Sequence, residues 1–394
     1  MLQFYAGNPL KIMKKHVIQT LITSFTLIGI TTLIFFYAAG YRIEREEQTI
    51  DLKKTGMIGA KSIPEGANVY LNNVLTTATN NTIQGLTPGN YTLKIQKNGF
   101  VTWEKEIEVF QELVTDITAV LISQSPRLEP LTNTGAKLPT ISPSLDKLAF
   151  FTKDGETPGV WVIPLDRQGI SLFRSTPYIV IEDAPNAIYS EGVSLEWAPN
   201  EKQLLVQTKD EKFYIIDINT GTAETTTSAE LTKKSWEEQL IQKRTDFISK
   251  LDIPEELKSV AVDPNTIWSP DEKKFLYTEE KDDNIEYHVY NLEKPLPVGE
   301  KVQTLVFSVP LGEKSPNISW YADSYHLIMV ENYDEVAQRG TISLIRIDGT
   351  NKTELYNNTL MFDRAYSAPV GDKIIILTSL KSGEQTDLYT IGIR

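Results

Sequence analysis

Five stretches of this chain repeat one grammar, and no other feature restricts its fold as much. They are ISPSLDKLAFF from Ile141, EWAPNEKQLLVQ from Glu196, IWSPDEKKFLYT from Ile267, SWYADSYHLIMV from Ser319 and YSAPVGDKIIIL from Tyr366. Each begins with small, polar or Pro residues suited to a turn and runs into an apolar strand. A second strand follows in each: VWVIPLD, FYIIDINTG, YHVYNLE, ISLIRIDG and DLYTIGI. The turns are marked by Pro143, Pro199, Pro270, Ala322 and Pro369, which lie 56, 71, 52 and 47 residues apart. A unit of about 40–55 residues with several short strands predicts the blade of a β-propeller. Such a unit cannot bury both its faces alone, so the copies must pack around an axis. The expected fold is therefore mainly β, with about five blades over residues 124–394. A sixth blade would have to be degenerate and hidden in 172–195 or 223–262.

Trp197, Trp268 and Trp320 stand at matching places before the turns. A flat ring there is expected to fill the gap between adjoining blades rather than to stack on a ligand. The run WSPD, Trp268 to Asp271, resembles the TolB-type, or WD-like, propeller repeat. The resemblance extends over about residues 125–394 and is strong only at that copy. The Ile141 copy lacks the Trp, the Ser319 copy lacks the Pro, and the Tyr366 copy lacks both the Trp and the Asp.

The longest interval, 71 residues, is explained by SWEEQLIQKRTDFISKL. Ser235 and Glu238 have the spacing of a capping box, and Trp236, Leu240, Phe247, Ile248 and Leu251 recur at helical spacing. A helical insertion is expected at about 229–260, with Pro254 ending one helix and opening a shorter one. It is expected to pack on its own blades.

Upstream, Val17 to Ala39 is an uncharged run of 23 residues. As a helix it is about 35 Å long, enough to cross a bilayer core. Its Thr and Ser hydroxyls can bond back to helix carbonyls. Ala38 and Gly40 also suit a signal-peptide cleavage site, but the apolar part of a signal peptide is usually only about 7–15 residues. The reading is an uncleaved transmembrane helix at 17–39, after a cytoplasmic tail at 1–16 too short for a signalling domain. Lys11, Lys14 and Lys15 favour the N-terminus inside and the bulk outside, although Arg42 and Arg45 weaken the bias. Residues 40–55 read as a linker.

Residues 56–123 read as a small antiparallel β domain. In IPEG, Pro64 presets φ for a turn and Gly66 relaxes it. Val69 and Leu71 then share one strand face, and Asn72-Asn73 can close a hairpin. Thr87-Pro88-Gly89-Asn90 suits a type II turn, and Asn98-Gly99 signals a second hairpin. Val101, Trp103, Ile107 and Val109 share a face, as do Ile117, Ala119 and Leu121. These residues resemble the PEGA domain, named for the tetrapeptide found here as Pro64-Glu65-Gly66-Ala67, with Asn73 where Gly is common. The resemblance implies a bacterial surface or envelope protein and a non-catalytic module, either a spacer or a unit that binds cell-wall polymer.

Composition narrows the function further. Net charge is −13 over 394 residues, and residues 1–40 hold three Lys and no acid, leaving 36 basic and 52 acidic side chains beyond them. Such a surface repels phosphate backbones, so no nucleic-acid partner is expected. With no Cys, thiol chemistry and thiolate zinc sites are excluded. His16, His288 and His326 have no metal-ligand spacing, and no G-x-S-x-G, H-E-x-x-H or phosphate loop is present. The acidic run Glu279 to Glu286 lacks the pattern of a calcium loop and reads as a solvated hairpin tip. No catalytic, cofactor or metal residue is assigned. The expected function is a non-enzymatic, membrane-anchored envelope protein that presents its propeller to another envelope protein or a wall polymer. The alternatives are an extracytoplasmic propeller enzyme of lactonase or lyase type, or an envelope assembly scaffold or sensor.

Overall fold

The computed structural model describes residues 9–38, 41–46, 49–153, 155–165, 176–380 and 385–394. These residues form two compact units, 1–95 with 106–119, and 96–105 with 120–394.

The first unit begins with helix α1, Pro9–Ala38. Within it, Val17–Tyr37 has a mean hydropathy of 1.8 with none of that window buried, so it is long and apolar enough to cross a membrane. The Thr23, Thr26 and Thr31 hydroxyls each donate to the carbonyl four residues back, at 2.8 Å. That is how the helix accommodates them. In the segment read as a linker, Tyr41–Glu46 pairs antiparallel with Thr49–Lys54.

Next comes a sandwich of two sheets. One has the order Asn81–Leu86, Gly56–Ile63, Val114–Val120, and the other Val74–Ala78, Asn68–Leu71, Gly89–Gln96, Trp103–Val109. Their inner faces bury Ile58, Val69, Leu71, Leu93, Ile95, Ile107, Val109 and Ile117. The Pro-Glu-Gly-Ala tetrapeptide is a structural device. Ala67 is fully buried, and Gly66 takes φ 75°, which favours a residue without Cβ. The Ser62 hydroxyl donates to Pro64 O at 2.7 Å and lies 2.8 Å from the Thr79 hydroxyl, which accepts from Ala67 N–H at 3.0 Å. Thr79→Val keeps the shape and strands that N–H. It is expected to cost about 1–3 kcal/mol, read as a lower unfolding midpoint for this unit.

The Asn72-Asn73 hairpin is present, with φ 48° and 65°. Asn72 Oδ1 accepts from Thr92 N–H at 2.9 Å and Asn73 Oδ1 from Lys94 at 2.8 Å, so both side chains have work a Gly could not do. The Thr87–Asn90 turn is different from expectation. Gly89 has φ 149° and already lies in a strand, and the chain here crosses from one sheet to the other rather than folding back.

Among the described residues the second unit forms a propeller of five blades. Four blades are consecutive four-stranded sheets, with inner strands Lys137–Ile141, Ser194–Trp197, Ile267–Trp268 and Asn317–Trp320. The fifth has the inner strands Tyr366–Ser367, Lys373–Thr378 and Asp387–Gly392, and takes its outer strand, Arg127–Pro130, from the other end of the propeller sequence. No sixth blade occurs among the described residues. Residues 172–195 contribute the outer strand Tyr178–Glu182 of blade 1, and 223–262 are mostly helical.

The recurring turn is identical in all five blades. The N–H of Leu145, Glu201, Glu272, Ser324 and Gly371 donates to the carbonyl three residues back at 2.9–3.0 Å, and each of these residues has φ between 53° and 65°. Pro suits the second position because its φ is preset and its missing N–H is not needed. The left-handed residue lies two positions before the second strand begins in every blade.

The helical insertion starts near 229 as expected, although the capping-box pattern at Ser235 does not mark its start. Helix α2 spans Ala229–Ile248 and is capped by Ser228, whose Oγ accepts from Leu231 N–H at 3.2 Å. Ser235 is interior to it. Helix α3, Glu255–Val262, follows Pro254 as expected. Helix α2 packs on its own blades along one side: its ends, Ala229 and Ile248, are buried, Trp236, Leu240 and Arg244 are half-buried, and Lys233 and Lys243 pair with Glu196 of blade 2 and Glu272 of blade 3. Leu231 and Phe247 stay 69% and 39% exposed.

Candidate functional site

The inner strands of all five blades surround a channel of about 400 Å³. Two of the three tryptophans staple neighbouring blades there, as expected. Trp197 Nε1 donates to Thr140 O of blade 1 at 3.0 Å, and Trp320 Nε1 to Ile267 O of blade 3 at 2.9 Å. Trp268 departs from the expectation. Its Nε1 donates to Ala261 O of α3 at 2.9 Å, and its ring packs on Phe247 and Phe275, so it holds the insertion rather than the preceding blade. In the last blade Tyr366 supplies the staple, its hydroxyl donating to Pro139 O at 3.0 Å across the closure. Burial pushes its phenol well above the usual value, so it stays a donor at any physiological pH.

A larger cavity, about 720 Å³, opens where the inner strands of blades 3, 4 and 5 begin. It shares Ile267, Ile318, Ser319 and Tyr366 with the channel and forms its mouth. Asp263, Asn265 and Thr266, just after α3, form one wall, Tyr277, Thr278 and Tyr287 of blade 3 another, and Asn317 and Arg364 the third. Asn317 is oriented by Asp363, Nδ2 to Oδ2 at 2.9 Å. The first wall is tied to α2, since Arg244 donates to Asp263 O and, at 3.0 Å, to Thr266 O. Burial lowers the Arg244 guanidinium to about 10, which leaves it charged at neutral pH. The mouth thus offers amides, hydroxyls, aromatic faces, one carboxylate and one guanidinium. That is equipment for recognition by hydrogen bonding and stacking.

His288 and His326 lie in strands of blades 3 and 4 and do not meet. His288 bonds Glu286 at 2.9 Å and stacks on Tyr277, while His326 bonds Asp323 at 2.7 Å. His16 lies where side chains are outside the described residues. Among the described residues no three His, Asp or Glu side chains converge on a metal-sized site. The acidic run forms the expected hairpin tip, with Asp282 and Asp283 at φ 47° and 61°. The mouth residues were not singled out by sequence. They come from segments about 50 residues apart, and most of them precede an inner strand or lie on the strand beside it.

Residues 55–124 match the PEGA domain family, which confirms that resemblance. Comparison with curated proteins finds no match. Among solved structures, a TolB from Acinetobacter baumannii is similar at 12% identity, covering 77% of this chain and 59% of that one, with a TM-score of 0.26. An oligogalacturonate lyase from Vibrio parahaemolyticus is similar at 9% identity, covering 77% and 86%, with a TM-score of 0.31. An acylaminoacyl peptidase from Pyrococcus horikoshii is similar at 12% identity, covering 66% and 39%, with a TM-score of 0.23. The number of blades and their closure rest on this chain's own strands.

Proposed function

We propose that this protein is a membrane-anchored envelope component whose propeller is a binding platform, engaging its partner at the channel mouth without catalysing a reaction on it. The PEGA domain acts as spacer or wall-binding module, α1 is the anchor, and the N-terminus is cytoplasmic with the bulk outside. The observation that carries this reading is the mouth cavity of about 720 Å³, walled by three blades and the segment after α3. Its size falls in the range of ligand pockets, about 300–1,000 Å³, and its walls carry amide, hydroxyl and aromatic groups with one carboxylate, Asp263, and one guanidinium, Arg364. The partner class is another envelope protein or a wall polymer.

A photo-crosslinking residue placed at Asn265 or Thr278 is expected to trap an envelope component in cells, and one placed at Lys250 on the insertion is not. Equal trapping at both places would remove the mouth from the proposal. The purified protein is expected to show no hydrolase or lyase turnover with or without Ca²⁺, Mg²⁺ or Zn²⁺. Turnover abolished by Arg364→Ala would make the mouth an active site instead.

The anchor is tested separately. Deleting residues 1–40 removes the span and three Lys, and is expected to release an acidic, folded protein from washed membranes. Retention of that product would mean a second membrane contact.

A further inference from the structure

Away from the channel, one hollow runs against the acidic balance of the chain. It measures about 380 Å³ and is faced by Lys137, Lys153 and Lys209, with Glu191 the one carboxylate among its lining residues. Lys137 begins the inner strand of blade 1, Lys153 follows the strand Lys147–Thr152, and Lys209 sits in the hairpin after Gln203–Gln207. Glu191 ends a short 3-10 turn, Tyr189–Glu191. Lys153 Nζ lies 3.0 Å from Glu191 Oε1, and Lys137 Nζ donates to Gly192 O at 3.2 Å. The Glu191 carboxyl is held below its usual range, first by the Lys153 hydrogen bond and then by the charges of Lys153, Lys209 and Lys137. One carboxylate therefore sits in the field of three ammonium groups.

The turn presenting Glu191 is fixed. Asp183 accepts from Ser190 N–H at 2.8 Å and from its hydroxyl at 2.5 Å. Gly192 lies against the Phe151 ring, where a Cβ would stand 2.2 Å from Cζ. The hollow opens on the propeller face where the inner strands begin, the same face as the channel mouth, but beneath blades 1 and 2.

We propose that this hollow is an oxyanion-binding site that takes a phosphate or carboxylate group of a ligand, with Glu191 as the internal counter-ion the ligand displaces. Each lysine supplies a charge-assisted hydrogen bond, and the single carboxylate keeps the unliganded lysines from mutual repulsion. The site is separate from the channel mouth and stands even if the reading of the mouth falls.

The test is calorimetric titration of the full chain in nonionic detergent at low salt, with tripolyphosphate in one arm and citrate in the other. At least one probe is expected to bind, and the tighter one identifies phosphate or carboxylate as the preferred group. Lys137→Gln and Lys209→Gln should each weaken binding about tenfold, the loss of one charge-assisted bond. Lys202→Gln and Lys250→Gln, which lie elsewhere, should leave it unchanged. Glu191→Gln should tighten binding several-fold, because the competing carboxylate is gone. If Glu191→Gln lowers the melting temperature, Lys153→Gln carries the test with an expected loss like that of its two neighbours. No binding of either probe, or equal losses from the distant lysines, would reduce the hollow to diffuse surface charge and overturn the assignment.

Discussion

Trp320→Ala is expected to destabilise the propeller by about 3–5 kcal/mol, while Trp236→Ala costs about 1 kcal/mol or less. Trp320 is 4% exposed and packs with Leu276, Leu327, Met329 and Ile345 from blades 3 and 4. Truncation opens a cavity between two blades that cannot close without moving a sheet. It also removes the donor at 2.9 Å from Ile267 O, leaving an inner-strand carbonyl without that bond. Trp236 lies on α2, which buries only its two end residues. Denaturant midpoints of the two variants decide the matter, and the opposite order would place α2 in the core.

Lys274→Met is expected to cost about 3–5 kcal/mol, the usual consequence of removing one partner from a buried ion pair. The Lys274 side chain is fully buried, 3.3 Å from Asp271 and 3.2 Å from Glu293, with its ammonium 4.2 Å from the centre of the Tyr325 ring. Tyr325 in turn donates to Glu293 at 2.7 Å. Burial by itself raises both carboxyls. The hydrogen bonds from Ser269 and Tyr325, and the charge of Lys274, outweigh it and hold Asp271 and Glu293 below their usual range. Depressed carboxyls bind fewer protons folded than unfolded, so their contribution is complete above about pH 5 and is lost as pH falls through and below the ordinary carboxylate range. Stability should therefore drop between pH 5 and pH 3, and drop less in Lys274→Met, where part of the depression is gone. Equal acid sensitivity in both proteins would show that Lys274 does not hold these carboxylates.

What could be read from sequence was whatever chemistry repeats locally. The Pro-containing turn announces each blade because its second residue must accept φ near −65° and its fourth must tolerate positive φ, and both demands limit residue type. Asn72-Asn73 and Gly66 were legible for the same reason. The closing strand Arg127–Pro130 was not, because its sequence carries no trace of a partner some 260 residues away. The start of the insertion near 229 was legible but its cap was not, because Ser228 and Ser235 can both cap and only tertiary structure shows which one does. Trp268 was assigned to a blade gap on its position in the repeat, whereas the insertion before it supplies a nearer carbonyl. The channel mouth and the lysine hollow are convergences of single residues from separate blades, and no local pattern encodes them.

The strand Arg127–Pro130 pairs with Asp387–Gly392, so the first strand of the propeller and the last share one sheet. A chain that folds in the order in which it is made would hold an open arc of blades until Asp387–Gly392 is available. During that interval blade 5 holds only the pair Tyr366–Ser367 and Lys373–Thr378, and the apolar face of blade 4 toward it is incompletely covered. Closure of the ring thus waits on its last strand, and a chain clipped before that strand would keep an apolar flank that proteases can recognise.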